Sequence, residues 1–408
     1  MNIKYPFSAL LLDSNGGWTS DKENSFILFG NPVFSLSFKG SAGINPHNRG
    51  LSSIRDPLSI LEGYVSEGYF AIGYMGYEFS RFTQEEFLPV REKEGELFPD
   101  IFFLFFREED MTLGKIENLK YLIQIPSQDN LRGLVSPYAN MSKDEYIDMV
   151  RRAKAYIESG DIYQVNLSQR FTTSIRSSPI AYFLSLYDVQ PVPFGCYIDF
   201  GGFQLISSSM ELFLRRRGGK LVTKPIKGTR RRGLTSEADA ILKAELVSSE
   251  KERAENLMIV DLMRNDLGRV CKYGTVRVNR LFSVESYSTL HHMVSEIEGQ
   301  LRDGIKTSDI IKSAFPPGSV TGTPKRRALE IIDELEPHLR GPYCGAIGVF
   351  YPNGDFILSV AIRVLISKGC KTMFWVGGGI VWDSAPEKEY EETLIKARAI
   401  NKALGMTE

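Results

Sequence analysis

The stretch TKPIKGTRRRG at residues 223–233 sets a lysine, Lys227, two residues after a proline and directly before a glycine. Proline fixes its own φ and glycine adopts backbone geometries closed to other residues, so the lysine is expected on a stiff corner rather than a loose surface arm. An amine held in place becomes a nucleophile once it loses its proton. Partial burial beside Arg230, Arg231 and Arg232 would lower its pKa by desolvation and like-charge repulsion. The duller reading of this cluster is a phosphate-like or solvated basic patch.

Two pairs of carboxylates point to a different chemistry. Within residues 249–263, SEKERAENLMIVDLM, Glu252 and Glu255 share a helical face with Ile259, Met263 and, beyond the stretch, Asp266, and the run 257–263 is apolar nearly all round. Such a helix is expected to be buried and to carry its glutamates inward, where ionised carboxylates need a counter-charge such as a hard divalent cation. Ser249-x-x-Glu252 also fits a capping box, in which Glu252 would merely close the first turn. In SAPEKEYEETLIK (384–396), Ser384 and Glu387 are expected to form the cap. Glu389, Glu392 and Lys396 then stack at i, i+3 and i+7, with Glu387 and Glu391 facing solvent. One E-x-x-E is commonly a solvated face, but two such pairs suggest a magnesium site built from two helices, open to water or an anionic ligand.

Two loops could hold an anion. FPPGSVTGTPKRR (315–327) leads into a helix and its N–H groups could form an anion nest, without P-loop spacing, and Gly377, Gly378 and Gly379 would let backbone approach a ligand closely. Either could equally be an ordinary turn. Arg363 falls inside SVAIRVLI (359–366), read as an apolar strand in which a guanidinium needs an anionic partner, from the protein or from a substrate.

The elements that must position these groups read as α+β. The 408 residues allow two to three domains or one large unit. Residues 1–125 alternate strand-like runs (26–29, 69–74, 101–106) with Gly, Asn and Pro, and a polar break spans 126–140. Ser142-x-x-Glu145 is a capping box opening a helix that stops near Gly160. Strands are expected at 162–171, 203–207, 220–226, 275–284, 345–350, 356–366 and 372–376, a helical block at 236–267 and a last helix at 385–404. Strands that do not alternate strictly with helices disfavour a doubly wound sheet. Apolar residues make up 43%, charged residues 24%, and the net charge is −1, so composition gives no support to a nucleic-acid or anionic-membrane partner. No run reaches the length of a membrane span. Cys196, Cys271, Cys344 and Cys370 are too dispersed for a disulfide framework or zinc ribbon and are expected to be buried thiols in a reducing cytoplasm.

Six segments resemble, in order, the chorismate-utilising enzymes: YQVNLSQRF (163–171), PIKGTRRRG (225–233), KERAENLMIVDLMRNDLGRV (251–270), FPPGSVTGTPKRRALEII (315–332), GPYCGAIGVF (341–350) and GGGIVWDSAPEKEYEETLIKARA (377–399). They cover most of residues 140–400, while LLDS (11–14) and GYMGYEF (73–79) match more loosely. The likeness is nearest to the aminodeoxychorismate synthase branch, which typically carries PIKGT where the anthranilate synthases usually carry PIAGT.

The resemblance implies one α+β unit over residues 1–408, with two large antiparallel sheets packed together and helices outside. Residues 1–135 would complete the fold around a catalytic part at 140–404. It further implies that Lys227 attacks C2 of the chorismate ring as the C4 hydroxyl leaves, and that ammonia then adds at C4 and expels the lysine. Glu211 matches the general acid, and apolar Met210, Leu212 and Phe213 could raise its pKa. Glu255 and Glu392 match direct Mg2+ ligands, with Glu252 and Glu389 close by. Arg363 and Tyr343, with Gly228, Gly377 and Gly379, match residues that grip the substrate, and Thr229 and Lys396 fall in the same segments. His292 and Ser319 match positions near the ring and leaving group, although the Ser319 position is often threonine in the ammonia-using enzymes. Isochorismate and salicylate synthases carry a lysine base where this chain has Gln164, which speaks against water as the nucleophile. With no G-x-C-x-G loop in the chain, ammonia is expected from a separate glutamine amidotransferase subunit. The rival expectations are anthranilate synthesis and a chorismate-binding subunit without activity.

Overall fold

In the strand Ala9–Asp13, ALLLD, side chains alternate between the two faces. Ala9 and Leu11 enter one hydrophobic core, and Leu10 and Leu12 enter another. The strand is therefore buried on both sides, and this holds for much of the molecule. The structure, a computed structural model, describes residues 7–19, 24–40, 42–44, 56–84, 93, 98–123, 136–174 and 178–403. Residues 126–135 of the expected polar break lie outside these.

Ten described strands form a first sheet in the order Gly322–Thr323, Gln164–Ser174, Lys371–Ile380, Val364–Lys368, Gln204–Ser209, Phe194–Asp199, Ala9–Asp13, Ser25–Phe29 and Met111–Lys115, with Tyr138–Ala139 also on Gln164–Ser174. Eleven form a second, in the order Ile226–Arg231, Leu290–Gln300, Lys220–Lys224, Leu212–Arg217, Phe356–Val360, Ala346–Phe350, Phe70–Met75, Ile101–Phe106, Phe34–Lys39 and Ala42–Ile44, with Arg277–Ser286 on Leu290–Gln300. The larger core joins the sheets: Leu11, Leu205 and Ile366 come from the first, Ile72, Leu214 and Val349 from the second. The smaller core lies between the first sheet and the helix Pro179–Val189, through Ile180, Phe183 and Tyr187. This is the expected α+β architecture of two large antiparallel sheets with helices.

Local signals carry through where they are self-contained. Ser142 and Glu145 form a reciprocal capping box on the helix Lys143–Glu158. Non-local features depart from expectation. The run 356–366 is two strands in different sheets, Phe356–Val360 and Val364–Lys368, because the chain crosses between the layers at residues 361–363. The block 236–267 is two helices, Ser236–Ser248 and Glu250–Gly268, divided where Ser249 adopts an extended conformation and caps the second. Cys370 is exposed, next to the left-handed Gly369, rather than buried like the other three thiols.

The helix Glu250–Gly268 is tied to the 315–325 segment by one buried pair. Lys325 Nζ donates to Asp266 Oδ2 at 2.6 Å and to the Ala314 carbonyl at 2.6 Å. The two side chains are 9% and 3% exposed. Removing one partner leaves an uncompensated buried charge, so Asp266→Ala is expected to destabilise the chain by about 3–5 kcal/mol. The double variant Asp266→Leu/Lys325→Met should recover most of that loss. Urea midpoints of the three chains check both expectations.

Candidate active site

Two of the expected site residues lie where the chain changes sheets. It leaves the first sheet at Ser209 and enters the second at Leu212, placing Glu211 on the corner; the return crossing places Arg363 beside it. The corners are stitched together. Val360 N–H donates to the Glu211 carbonyl at 3.0 Å, and Ser208 N–H to the Arg363 carbonyl at 3.2 Å. Arg363 therefore stands not inside a strand, as expected, but at a turn with φ 51°. The protein partner of its guanidinium is neutral: Nη1 donates to Gln190 Oε1 at 2.6 Å. Burial without a carboxylate pulls its pKa down to about 10. A guanidinium held in this way is suited to an anion from outside the chain.

Glu211 is 4% exposed among buried Met210, Leu212 and Phe213. Burial raises its pKa to about 7 against the pull of the Ser319 hydroxyl, the Lys227 charge and the Ile226 N–H. Ser319 itself is 5% exposed, on the 3-10 turn Gly318–Val320. In this loop Val320 and Thr321 direct their N–H groups to the Pro317 and Gly318 carbonyls, so these two are not turned toward an anion.

Lys227 sits in the strand Ile226–Arg231, whose pairing with Leu290–Gln300 slips between Ile226 and Thr229. The slip makes Lys227 and Gly228 a bulge, and the Gly228 φ of 85° suits a residue without Cβ. A Cβ on Gly228 would lie 2.9 Å from Glu252 Oε2, so the bulge also touches the acidic helix. Lys227 Nζ lies 3.5 Å, and Gln164 Nε2 2.7 Å, from the point where Gly379 would carry a Cβ. Burial lowers the Lys227 pKa, opposed by Glu255 and Glu211 and assisted by Lys396. Lys396, not the arginine run, is thus the like charge that matters. Arg230 pairs with Glu252 at 3.2 Å, and Arg232 forks onto Asp239 at 2.8 and 2.8 Å.

His292 lies opposite Thr229 in the ladder, with Nδ1 2.8 Å from the Thr229 hydroxyl and Nε2 3.0 Å from Met210 Sδ. Burial, with the Arg363 charge adding to it, pushes its pKa to about 3 and keeps it neutral at neutral pH. Tyr343 is buried and stacks on Trp375 with ring centroids 6.2 Å apart. Its neighbour Cys344 feels the Glu211 charge.

The helix Glu250–Gly268 buries one face only, since Leu257 is 45% exposed, so it is not apolar all round in its setting. Ser249 caps it through the Glu252 N–H, while the Glu252 carboxylate goes to Arg230 rather than closing the turn. The last helix starts at Pro386, and Ser384 is not its cap: its hydroxyl accepts from Val381 N–H at 3.1 Å and bonds the Glu389 carboxylate. Burial raises the Glu255 pKa, with Glu252 and Glu389 adding to the rise. Burial likewise raises Glu389, and Glu392 adds to it. The Glu392 side chain is 53% exposed; its partial desolvation works against charge, but Lys396 at 2.7 Å outweighs it and holds that carboxylate below the usual range. Lys396 also donates to the Gly377 carbonyl at 2.8 Å. A Cβ on Gly378 would lie 3.2 Å from Glu389 Oε2 and 4.0 Å from Glu392 Oε1. Among the described residues no three acidic, His or Cys side chains stand close enough to form a metal cluster as they are. The donor chemistry nevertheless fits a hard divalent cation: Glu389, from the other helix, makes charge on the buried Glu255 costly, as a bound cation would relieve.

Gln164 and Gln190 carry more of this arrangement than their sequence context signals. Gln164 is fully buried beside the Lys227 amine, and among the described residues neither end of its amide has a hydrogen-bond partner. Gln190 is the C-cap residue of Pro179–Val189 and meets Arg363 only through the tertiary fold.

Residues 8–402 match the family of chorismate binding enzymes. Aminodeoxychorismate synthase component 1 of Bacillus subtilis (strain 168) is 38% identical over 370 residues, covering 83% of this chain and 77% of that protein. Anthranilate synthase component 1 of Aquifex aeolicus (strain VF5) is 45% identical over 270 residues, covering 66% of this chain and 55% of that protein, so the matched region spans about half of that relative's length. The crystal structure of anthranilate synthase component I from Streptococcus pneumoniae TIGR4 superposes with a TM-score of 0.80 at 30% identity, covering 92% of each chain.

The Ser319 hydroxyl favours the ionised form of Glu211, so Ser319→Ala should raise the Glu211 pKa above about 7. Carboxyl-carbon NMR of glutamate-labelled protein, with Glu211→Gln identifying the signal, measures the shift.

Proposed function

The chain belongs to the chorismate binding enzymes, and on that premise we propose that it is the synthase component of aminodeoxychorismate synthase, converting chorismate and ammonia to 4-amino-4-deoxychorismate and water. The observation that carries this reading is the partly buried Lys227 amine, drawn toward neutrality by desolvation, next to a carboxyl that keeps its proton up to about pH 7. The anthranilate-forming relatives usually have alanine at this position and need no such amine.

The neutral Lys227 amine attacks C2 of the ring, the double bonds shift, and the C4–O bond breaks as Glu211 gives its proton to the departing hydroxyl, which leaves as water. Ammonia then bonds to C4, the double bonds shift back, and the C2–N bond to Lys227 breaks. Glu211, ionised after the first step, takes up the proton released on the way, and the chain returns to its starting state. Arg363 binds a substrate carboxylate, and the neutral His292 with Thr229 borders the ring. Glu255 and Glu392, with Glu252 and Glu389 beside them, would hold Mg2+, which supplies positive charge for the second substrate carboxylate. At Gly379, where a Cβ would stand 3.5 Å from Lys227 Nζ, the bare backbone leaves the amine open to the ring. Ammonia is supplied by a separate glutamine amidotransferase subunit.

Incubation of the purified chain with chorismate, Mg2+ and ammonium should yield 4-amino-4-deoxychorismate by mass, and anthranilate with pyruvate would overturn the assignment. Lys227→Ala should abolish any trapped protein adduct, and persistence of the adduct would place the nucleophile elsewhere. Glu211→Gln should slow turnover by about 10²- to 10⁴-fold, the usual worth of a positioned acid. In the wild-type chain, the rate of hydroxyl loss should fall as pH rises through about 7, where Glu211 gives up its proton.

A further inference from the structure

Glu336 and Arg340 are each 1% exposed. Arg340 Nε donates to Glu336 Oε2 at 2.8 Å and Nη2 to Oε1 at 2.7 Å. Such a pair contributes little stability beyond what an apolar pair would, because desolvating two ions cancels most of their attraction. Its remaining hydrogen bonds are more informative. Nη2 also reaches the Asn166 carbonyl at 2.6 Å, and Nη1 the Val320 carbonyl at 3.1 Å. Asn166 belongs to the strand Gln164–Ser174, and Val320 directly follows Ser319 in the 3-10 turn. One guanidinium therefore joins the strand that carries Gln164 to the turn that carries Ser319.

The turn's backbone bonds are long, Val320 N–H to Pro317 O and Thr321 N–H to Gly318 O both at 3.3 Å, and its other ties, the Thr321 hydroxyl to Pro317 O at 2.8 Å and Asn166 N–H to Thr321 O at 2.8 Å, hold Thr321 rather than the Val320 carbonyl. The pair is held in place: Glu336 Oε1 also accepts Ser168 N–H at 2.7 Å, the Arg340 backbone N–H donates to Glu78 Oε1 at 2.8 Å, and the Tyr77 ring lies 4.5 Å from the guanidinium carbon. With the Val320 carbonyl held, the backbone that directs the Ser319 side chain cannot rotate freely. We propose that Arg340 is a positioning residue, gripping Val320 against the strand Gln164–Ser174 so that the Ser319 hydroxyl stays on Glu211 and keeps that carboxyl aimed at the leaving group. The proposal rests on the function argued above.

A double-mutant cycle on the full chain tests it, with chorismate consumption as the rate. Arg340→Lys keeps the charge but loses the fork, and it should lower kcat about 10- to 100-fold while KM for chorismate changes less than about twofold. In a Ser319→Ala background the same substitution should cost less than about threefold, because the group it positions is already gone. An undiminished cost in that background overturns the proposal. If Arg340→Lys does not accumulate as folded protein, Glu336→Asp, which keeps the charge and draws the guanidinium back by about one methylene, takes its place in the cycle. Amide hydrogen exchange separates this proposal from the function it rests on. Arg340→Lys should speed exchange at residues 318–323 about tenfold or more and leave the other strands of both sheets unchanged. Unchanged exchange at 318–323, or faster exchange throughout the chain, overturns the positioning role. A wild-type chain inert toward chorismate with ammonium and Mg2+ overturns the function alone.

Discussion

Exclusion of water from one carboxyl and one amine is the constraint on which the rest of the structure depends. In water a glutamate and a lysine differ by about six pKa units and meet as an ion pair. Burial raises Glu211 and lowers Lys227, so a single cause brings the two together from opposite directions. The result is an acid that can still give a proton beside an amine that can still offer a lone pair. Either group alone on an exposed loop would have neither property.

Maintaining that dryness requires both faces of a sheet to be covered, and the two-layer architecture provides this. The chemistry cannot be placed within the strands, however, because interior strand residues have their side chains in the core and their backbone in the ladders. The candidate site residues stand where regularity breaks: Glu211 and Arg363 at the two crossings between sheets, Lys227 at a bulge, Ser319 on a short turn. Each break is stitched by backbone hydrogen bonds or ion pairs, so irregularity does not become looseness.

Legibility from sequence follows the distance over which each feature is determined. The helix opened by Ser142 and the glutamate spacing at 252, 255, 389 and 392 are set within one or two turns, and both could be read directly. The constrained position of Lys227 was legible from its motif, but its neighbours were not: the adjacent arginines turn to Glu252 and Asp239, and Lys396, far along the chain, supplies the like charge. The apolar run around Arg363 reads as one strand because both halves are strands. Only the packing of two sheets reveals the break. Gln164, Gln190 and Arg340 carry no local signature, since their partners lie on other elements.

Three successive glycines in an interior strand would ordinarily weaken it, for each has more freedom to lose on folding. Here the strand Lys371–Ile380 keeps unbroken register with Gln164–Ser174 over all ten residues, so the glycines form a rigid floor. A Cβ at 377 would strike the Leu167 carbonyl at 2.4 Å, one at 378 would press on Glu389, and one at 379 on Gln164. At 377 the floor is closed to substitution because the obstacle is backbone, whereas at 378 and 379 it is the end of a side chain. Change is open instead at side chains that face the floor without belonging to it, such as residue 227 on the bulge, which can be exchanged without moving the sheet beneath it.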